Sequence, residues 1–392
     1  MTRRALIAGG GIGGMAAALA CAHAGWQVRL FERSAEFSEV GAGIQIGPNV
    51  TRVLQAWGMD QALRAAAAFP SRLVVRDAIS GRELGAIALG PAAVQRYGAP
   101  YATIHRADLH AMLRGGAAMH PGVQLQTGSE ASGFEQDAHR VRVRVPGEGT
   151  IDGDLLVGAD GLRSGVRAWL LADGAPRVIG HVAYRAMVEQ AHLPAALRSQ
   201  QITVWLAPRL HLVHYPVRGG EWLNVVAVVQ GESARAPAED DWDQGTAAGA
   251  LYAALEQTCP TLRDLVASLA HWRRWILCDR LPMQGPHQHA QGRVVLVGDA
   301  AHPMRPYLAQ GAGMAIEDAQ QLGRLLSQPE LRLAEALGCF AEQRWQRNRR
   351  VQLRSIRNGS IFHAQGALRA ARDAAMRLLG DRLLDLPWLY RG

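Results

Sequence analysis

The chain has 392 residues, long for a single core, which predicts two lobes. Apolar residues make up 48% and charged residues 19%, the balance of an ordinary globule rather than a disordered chain. All 42 basic residues are arginine, so a Walker lysine, a Schiff-base lysine and a lysine general base are excluded, and redox chemistry on a bound cofactor gains in attraction. The formal net charge of +8 favours anionic small molecules.

Cys21, Cys259, Cys278 and Cys339 are widely spaced with no C-x-x-C, which argues against a disulfide framework, a zinc site and a flavin disulfide reductase. They read as buried thiols of a cytoplasmic protein. Arg3-Arg4 before an uncharged run superficially mimics an export leader, but glycines interrupt that run and strand, turn and helix account for it. No other run is long and apolar enough to span a bilayer, so no membrane partner is expected.

In chain order, Ala5–Ala8 reads as a strand and Met15–Ala24 as a helix, with GGGIGG between them. Gly9, Gly11 and Gly14 have the G-x-G-x-x-G spacing, with Gly13 inside it: a tight turn, close approach to a pyrophosphate and close helix–strand packing. Val28–Phe31 is the next strand. Glu32 at its end, with Arg33 beside it, is placed to accept a hydrogen bond from a ribose hydroxyl. The stretch Gly41–Asn49 precedes a helix over Val50–Trp57; Gln45 within it either contacts a pocket or cofactor or steadies a turn. Leu73–Arg76 and Glu83–Ile87 form a strand pair about Ser80-Gly81. Tyr101–Ile104 leads to a helix opened by His105–His110. Val123–Thr127 and His139–Val145 are strands, the latter alternating valine with arginine. Ile151–Val157 is a strand delivering Asp160-Gly161.

From His181 the pattern changes. Val182–Val188, Ile202–Leu206, Leu210–Val217 and Trp222–Gln230 follow one another without helices, which implies an antiparallel sheet and a separate lobe; a helix over Thr246–Glu256 comes next. Within Leu210–Val217, alternation puts His211, Val213 and Tyr215 on one face, either as a pocket wall or as a satisfied histidine and an ordinary strand tyrosine. His287-x-His289 has no third ligand nearby, and no metal is expected. Val294–Val297 is a buried strand ending in Gly298-Asp299, an acid where such strands open onto a crevice. Pro303 and Pro306 keep the next loop out of helix, and Gln310-Gly311-Ala312-Gly313 starts an amphipathic helix whose N-terminus suits developing negative charge. Arg344, Arg347, Arg349, Arg350, Arg354 and Arg357 follow on a basic helix. Solvent, the first lobe or a second copy in a homodimer suits that face better than nucleic acid.

The stretches at Gly9–Gly14, Asp154–Ser164 and Arg293–Asp318 together resemble the single-component flavin-dependent aromatic hydroxylases related to para-hydroxybenzoate hydroxylase, in that family's order and over nearly the whole chain. The resemblance implies an α/β fold: a Rossmann-like FAD-binding domain (1–72, 101–178 and 281–365), a mostly antiparallel α+β substrate domain (73–100 and 179–280) and a C-terminal helical segment (366–392). It implies that the first motif holds the ADP half of FAD and that Arg106 reaches its phosphates. Asp160-Gly161 would serve FAD and the passing NADH or NADPH, and Asp299 the ribityl region. The loop ending at Gly311, with Ala312 behind it, would stabilise negative charge on the reduced flavin, and Gln45 would lie near the flavin ring.

The activity implied is that NADH or NADPH reduces FAD, dioxygen adds at the flavin C4a position, and the hydroperoxide hands oxygen to a small aromatic acid. His211 and Tyr215 match residues that hydroxybenzoate and 6-hydroxynicotinate hydroxylases use to bind or deprotonate the ring hydroxyl. Tyr184-Arg185 resembles a family element in this lobe, and Arg185 is read as structural rather than catalytic. The stretches Arg218–Glu221 and His105–His110 and the tail Leu386–Tyr390 are similar to the 3-hydroxybenzoate and salicylate hydroxylases. Arg305 has a counterpart in 6-hydroxynicotinate hydroxylases, and Pro306 stands where 3-hydroxybenzoate enzymes show glutamine. A nicotinamide-only dehydrogenase would share Gly9–Gly14 and Glu32 but would not need Gly298-Asp299.

Overall fold

A computed structural model describes residues 3–37, 42–231, 244–245 and 248–391, in two compact units. The first comprises Met1–Val40, Ala107–Pro176 and Asp279–Ser355; the second comprises Gly41–Arg106, Arg177–Cys278 and Ile356–Gly392.

The first unit is built on a six-stranded sheet in the order Ala290–Gln291, Val294–Leu296, Leu155–Gly158, Arg4–Ala8, Gln27–Phe31, Val123–Gln126. All neighbours run parallel except the short Ala290–Gln291 edge. Val294–Leu296, Leu155–Gly158 and the Ala5–Ala8 part of the first strand are apolar and buried because both faces are covered. Helix Ile12–His23 packs on Arg4–Ala8 and Gln27–Phe31. A three-stranded antiparallel sheet, Gly133–Gln136, Val141–Val145 and Gly149–Gly153, covers the face bearing Leu6, Phe31 and Leu156. Val141, Val143 and Val145 point into that core, while Arg142 and Arg144 do not. The alanine-rich first helix also lies close on helix Gly311–Leu326: a Cβ at Gly323 would sit 2.7 Å from the Ala20 carbonyl oxygen.

The single strand expected over Ile151–Val157 is two strands in two sheets, Gly149–Gly153 and Leu155–Gly158. Asp154 sits at the crossing, its carboxylate accepting the Arg4 N–H at 2.8 Å, so the chain changes partner there.

The second unit holds an eight-stranded sheet in the order Gln244–Gly245, Arg273–Asp279, Arg177–Glu189, Trp222–Gln230, Leu210–Val217, Ile202–Ala207, Arg72–Asp77, Glu83–Ala88. Pairing is antiparallel from Arg177–Glu189 through to Ile202–Ala207, then parallel to Arg72–Asp77. One face carries Trp205, Leu210, Leu212 and Val225 under helices Gly249–Leu255 and Pro260–Ala267. The opposite face carries Val204, Leu206 and Val213 and meets Phe362, Met376 and Leu384.

Residues 41–72 and 101–106 cluster with this second unit, and so do 356–365, whereas the sequence reading placed them in the nucleotide lobe. The reason is a ribbon, Gly43–Ile46 paired with Ala102–His105, pinned to the larger sheet. Tyr215 donates to the Gly43 carbonyl at 2.7 Å, and the Gly43 N–H donates to Asn224 at 2.7 Å. Gly41, at the start of the expected Gly41–Asn49 stretch, and Thr246 and Ala247, the first two residues of the expected Thr246–Glu256 helix, lie outside the described residues; the described helix there is Gly249–Leu255. Among the described residues, no helix is long and apolar enough to cross a membrane.

Candidate active site

Parallel strands share a direction, so the motifs that end them emerge at one edge. Gly298-Asp299, Asp160-Gly161, Gly9–Gly14 and Glu32 follow four adjacent strands of the first unit in that order. This is the position at which open parallel sheets take ligands. The glycines there are required by space. A Cβ at Gly14 would lie 1.9 Å from the Gly9 carbonyl oxygen, and Gly9, at φ +98°, would meet the Ala159 carbonyl at 2.5 Å. Gly13 is different: its added Cβ would make an ordinary 3.5 Å contact with Ala315. Gly11 is the N-cap of helix Ile12–His23, which has no side-chain cap and no acid in its first turn. Its first N–H groups are therefore available to an anion.

Glu32 buckles this turn. One carboxylate oxygen accepts the Gly10 N–H at 2.7 Å and the other the Ser34 N–H at 2.8 Å. Arg33 beside it is exposed. Asp160 accepts the Ser164 hydroxyl at 2.5 Å and the Val166 N–H at 3.0 Å, yet burial still pushes its carboxyl upward. Asp299 is exposed on the short turn Gly298–Ala300, and a Cβ at Gly311 would lie 3.9 Å from its carboxylate. Gly311 and Ala312 open the helix Gly311–Leu326, again without a side-chain cap.

Behind this edge lies a charge network absent from the sequence reading. The fully buried Asp318 accepts from the Gly298 N–H (3.1 Å), His302 (2.5 Å), Arg344 Nε (2.7 Å) and Asn348 Nδ2 (2.9 Å). Burial alone would raise this carboxyl, but His302 and Arg344 outweigh it and hold it far below the usual carboxylate range. Arg344 and Arg347 also bind Glu317, so these two members of the basic helix dock on the first unit. His289 joins through Asn348 at 3.2 Å, whereas His287 is exposed. His289, His302 and Asp318 cluster closely enough for metal ligands, but four donors already occupy the Asp318 oxygens and leave no lone pair for a cation. Arg305 neither faces solvent alone nor awaits a carboxylate: it forks onto buried Asp279 at 2.7 and 2.8 Å.

In the second unit, His211 shares its sheet face with Tyr215 as alternation requires, and it has a partner no motif announced. Its Nδ1 lies 2.9 Å from His363 Nε2, and the His181 ring is centred 5.1 Å from that of His363. Burial, then the neighbouring His363 and His181, hold His211 well below its ordinary value; burial takes His363 down to about 3. Both rings are neutral at pH 7. The Tyr215 hydroxyl, pushed up by burial, is occupied with Gly43. Gln45 accepts from Tyr101 at 2.8 Å, and the Arg106 N–H donates to the Ala42 carbonyl at 2.9 Å. The Arg185 guanidinium stacks 4.7 Å over Trp275, consistent with a structural role.

Residues 2–332 match the family model described as FAD binding domain. The chain belongs to that FAD-binding family. Within it, 3-hydroxybenzoate 6-hydroxylase from Polaromonas naphthalenivorans (strain CJ2) is 40% identical over 98% of this chain and 95% of its own. The 3-hydroxybenzoate 6-hydroxylase of Klebsiella oxytoca is 37% identical over 99% and 96%. Among solved structures, Klebsiella pneumoniae HpxO complexed with FAD and uric acid superposes with a TM-score of 0.85 at 27% identity, covering 97% of this chain and 94% of that one. The FAD-binding fold and flavin-dependent monooxygenase class expected from the three motifs are thereby established for this chain. The first unit fits the cofactor on its own geometry: a glycine cradle that a Cβ would fill, and two uncapped helix N-termini for its anionic groups.

The FAD-binding family's glycine spacing carried that legible part of the site. His363, His181, Asp318, Arg344 and Asn348 went unseen as site residues. Asp318 closed the motif stretch, and its place one turn beyond Met314 was the available signal.

Proposed function

We propose that this chain hydroxylates a small aromatic acid of the hydroxybenzoate class, 3-hydroxybenzoate or salicylate in type, with NADH or NADPH and dioxygen as co-substrates. One oxygen atom ends in the new ring hydroxyl and the other in water, with two electrons drawn from the nicotinamide. Bound FAD supplies the electron exchange and the activation of dioxygen. Gly9, Gly11, Gly13, Gly14, Glu32 and Arg33 would hold its ADP half and Arg106 its phosphates. Asp160, Asp299, Gly311, Ala312 and Gln45 would serve the remainder.

The observation that carries the reading is the hydrogen-bonded pair His211–His363. A ring carbon attacks electrophilic oxygen best as its hydroxyl loses a proton. A neutral, buried imidazole can accept that proton at one nitrogen while passing another onward through Nδ1 to His363, as general-base catalysis requires. The low basicity set by burial would rise when an anionic substrate lies beside the ring. Tyr215, anchored on Gly43, would fix the position of the phenolic oxygen. Arg305 is already engaged by Asp279.

The test is NADH and NADPH consumption by the yellow protein across a panel of hydroxybenzoates, salicylate and 6-hydroxynicotinate, with products identified by mass. The expected result is one added oxygen on a hydroxybenzoate. Fast consumption that yields only hydrogen peroxide with every acid tested would overturn it.

A further inference from the structure

The second unit has a cavity that the proposed reaction does not use. It lies on the sheet face opposite His211 and Tyr215. Thr203 opposes His214 across the strand pair and Trp205 opposes Arg76, so these four side chains share a face that excludes His211. The cavity measures about 520 Å³, within the ~300–1,000 Å³ of small-molecule sites and far larger than an inorganic anion needs.

Its walls are one-sided in charge. Arg76, Arg82 and Arg198 line it, and no aspartate or glutamate does among the described residues. Arg76 gives one N–H to the Gly81 carbonyl at 3.0 Å and lies 5.7 Å over the Trp205 ring, and Arg198 bonds the Leu193 and Ala191 carbonyls. Those carbonyls leave the positive charge uncompensated. The helix Pro260–Ala267 begins at the same wall, with Thr261 lining the cavity and no acid in its first turn, so its dipole adds to the positive field. Two buried wall residues, Trp205 and His214, each keep a ring nitrogen without a hydrogen-bond partner among the described residues. Leu197 and Leu265 supply an apolar side.

We propose that this cavity is a second binding site, for an aromatic carboxylate: the three arginines would take the carboxylate, and the apolar wall beside Trp205 the ring. The site is independent of the ring-hydroxylation reading, because it shares no residue with the nucleotide edge or the histidine trio. A ligand there would bridge Arg72–Asp77, Ile202–Ala207 and the start of Pro260–Ala267, tying these two strands to the helix layer.

Benzoate, which lacks a ring hydroxyl, serves as probe by equilibrium dialysis on the FAD-loaded full chain. The double variant Arg82→Ala/Arg198→Ala removes two exposed side chains and leaves the core intact, so it tests the site without a folding penalty. One benzoate equivalent should weaken at least tenfold in this variant and in Arg76→Leu, and should persist in His211→Asn. FAD content and basal NADH oxidation should stay unchanged in Arg82→Ala/Arg198→Ala. Benzoate binding unaltered by the double variant overturns the site. Equal displacement by inorganic phosphate or cyclohexanecarboxylate overturns its preference for an aromatic ring.

Discussion

The two sheets present chemistry in opposite ways. In the first unit the functional groups at the strand ends are largely backbone: N–H groups, a tight turn, and glycines present because a Cβ has nowhere to go. In the second unit they are side chains on one face of an antiparallel sheet, partnered with a histidine 152 residues further on. A backbone site imprints its spacing on the sequence, because only glycine satisfies the sterics. A side-chain site assembled by tertiary packing leaves no such imprint.

The sharpest break between the two is expected at the glycines. Gly14→Val should give colourless protein, with absorbance near 450 nm lost, while Gly13→Ala should stay yellow, since only the former collides with backbone. Equal flavin content in both variants would refute the steric account. Next in size, His211→Asn should lower product formation by about 10²–10⁴-fold with flavin content preserved. Full turnover in that variant would remove His211 from the chemistry.

Asp318→Ala leaves buried Arg344 short of one carboxylate and should cost about 3–5 kcal/mol in urea unfolding. A loss below 1 kcal/mol would mean that Glu317 alone compensates the guanidinium.

Acid should separate the two regions by pH. His363 is depressed from 6.5 to about 3, so the unfolded chain binds more protons in that interval and stability falls as pH drops through it. Asp318 is depressed below its ordinary 3.8, so its contribution is complete above that value and is lost only at lower pH. His363→Gln should therefore flatten the stability–pH curve between 6.5 and about 3 while leaving the more acidic limb. An unchanged upper limb would contradict the burial of a neutral imidazole. The smallest effect is expected for Tyr215→Phe, about 1 kcal/mol from the lost Gly43 bond, with a modest rise in KM. A large loss of flavin there would move Tyr215 into the cofactor site.

How much could be read in advance follows the same division. The parallel sheet was legible because Ala5–Ala8 and Val294–Val297 are apolar at every position, Val28–Phe31 is apolar but for Arg29, and each meets a glycine or an acid at its end. The face shared by His211 and Tyr215 was legible from alternation alone. His363 was not, since a histidine at the end of a basic helix has no periodic or motif context. Arg344 and Arg347 looked like their exposed neighbours because charge count cannot tell which turn of a helix meets Glu317. The break at Asp154 went unread although Asp152-Gly153-Asp154 interrupts the apolar residues there: the short polar step is where the chain leaves one sheet and joins another.

The saturation of Asp318 has a bearing on how variants of this chain are interpreted. Gly298, at the nucleotide edge, is tethered through that single carboxylate to Arg344 and Asn348 on a different helix. Substitutions at either distant position would loosen the loop and surface in a screen as cofactor-deficient clones. A genetic map drawn from such clones would assign ligand contact to side chains that merely brace the scaffold.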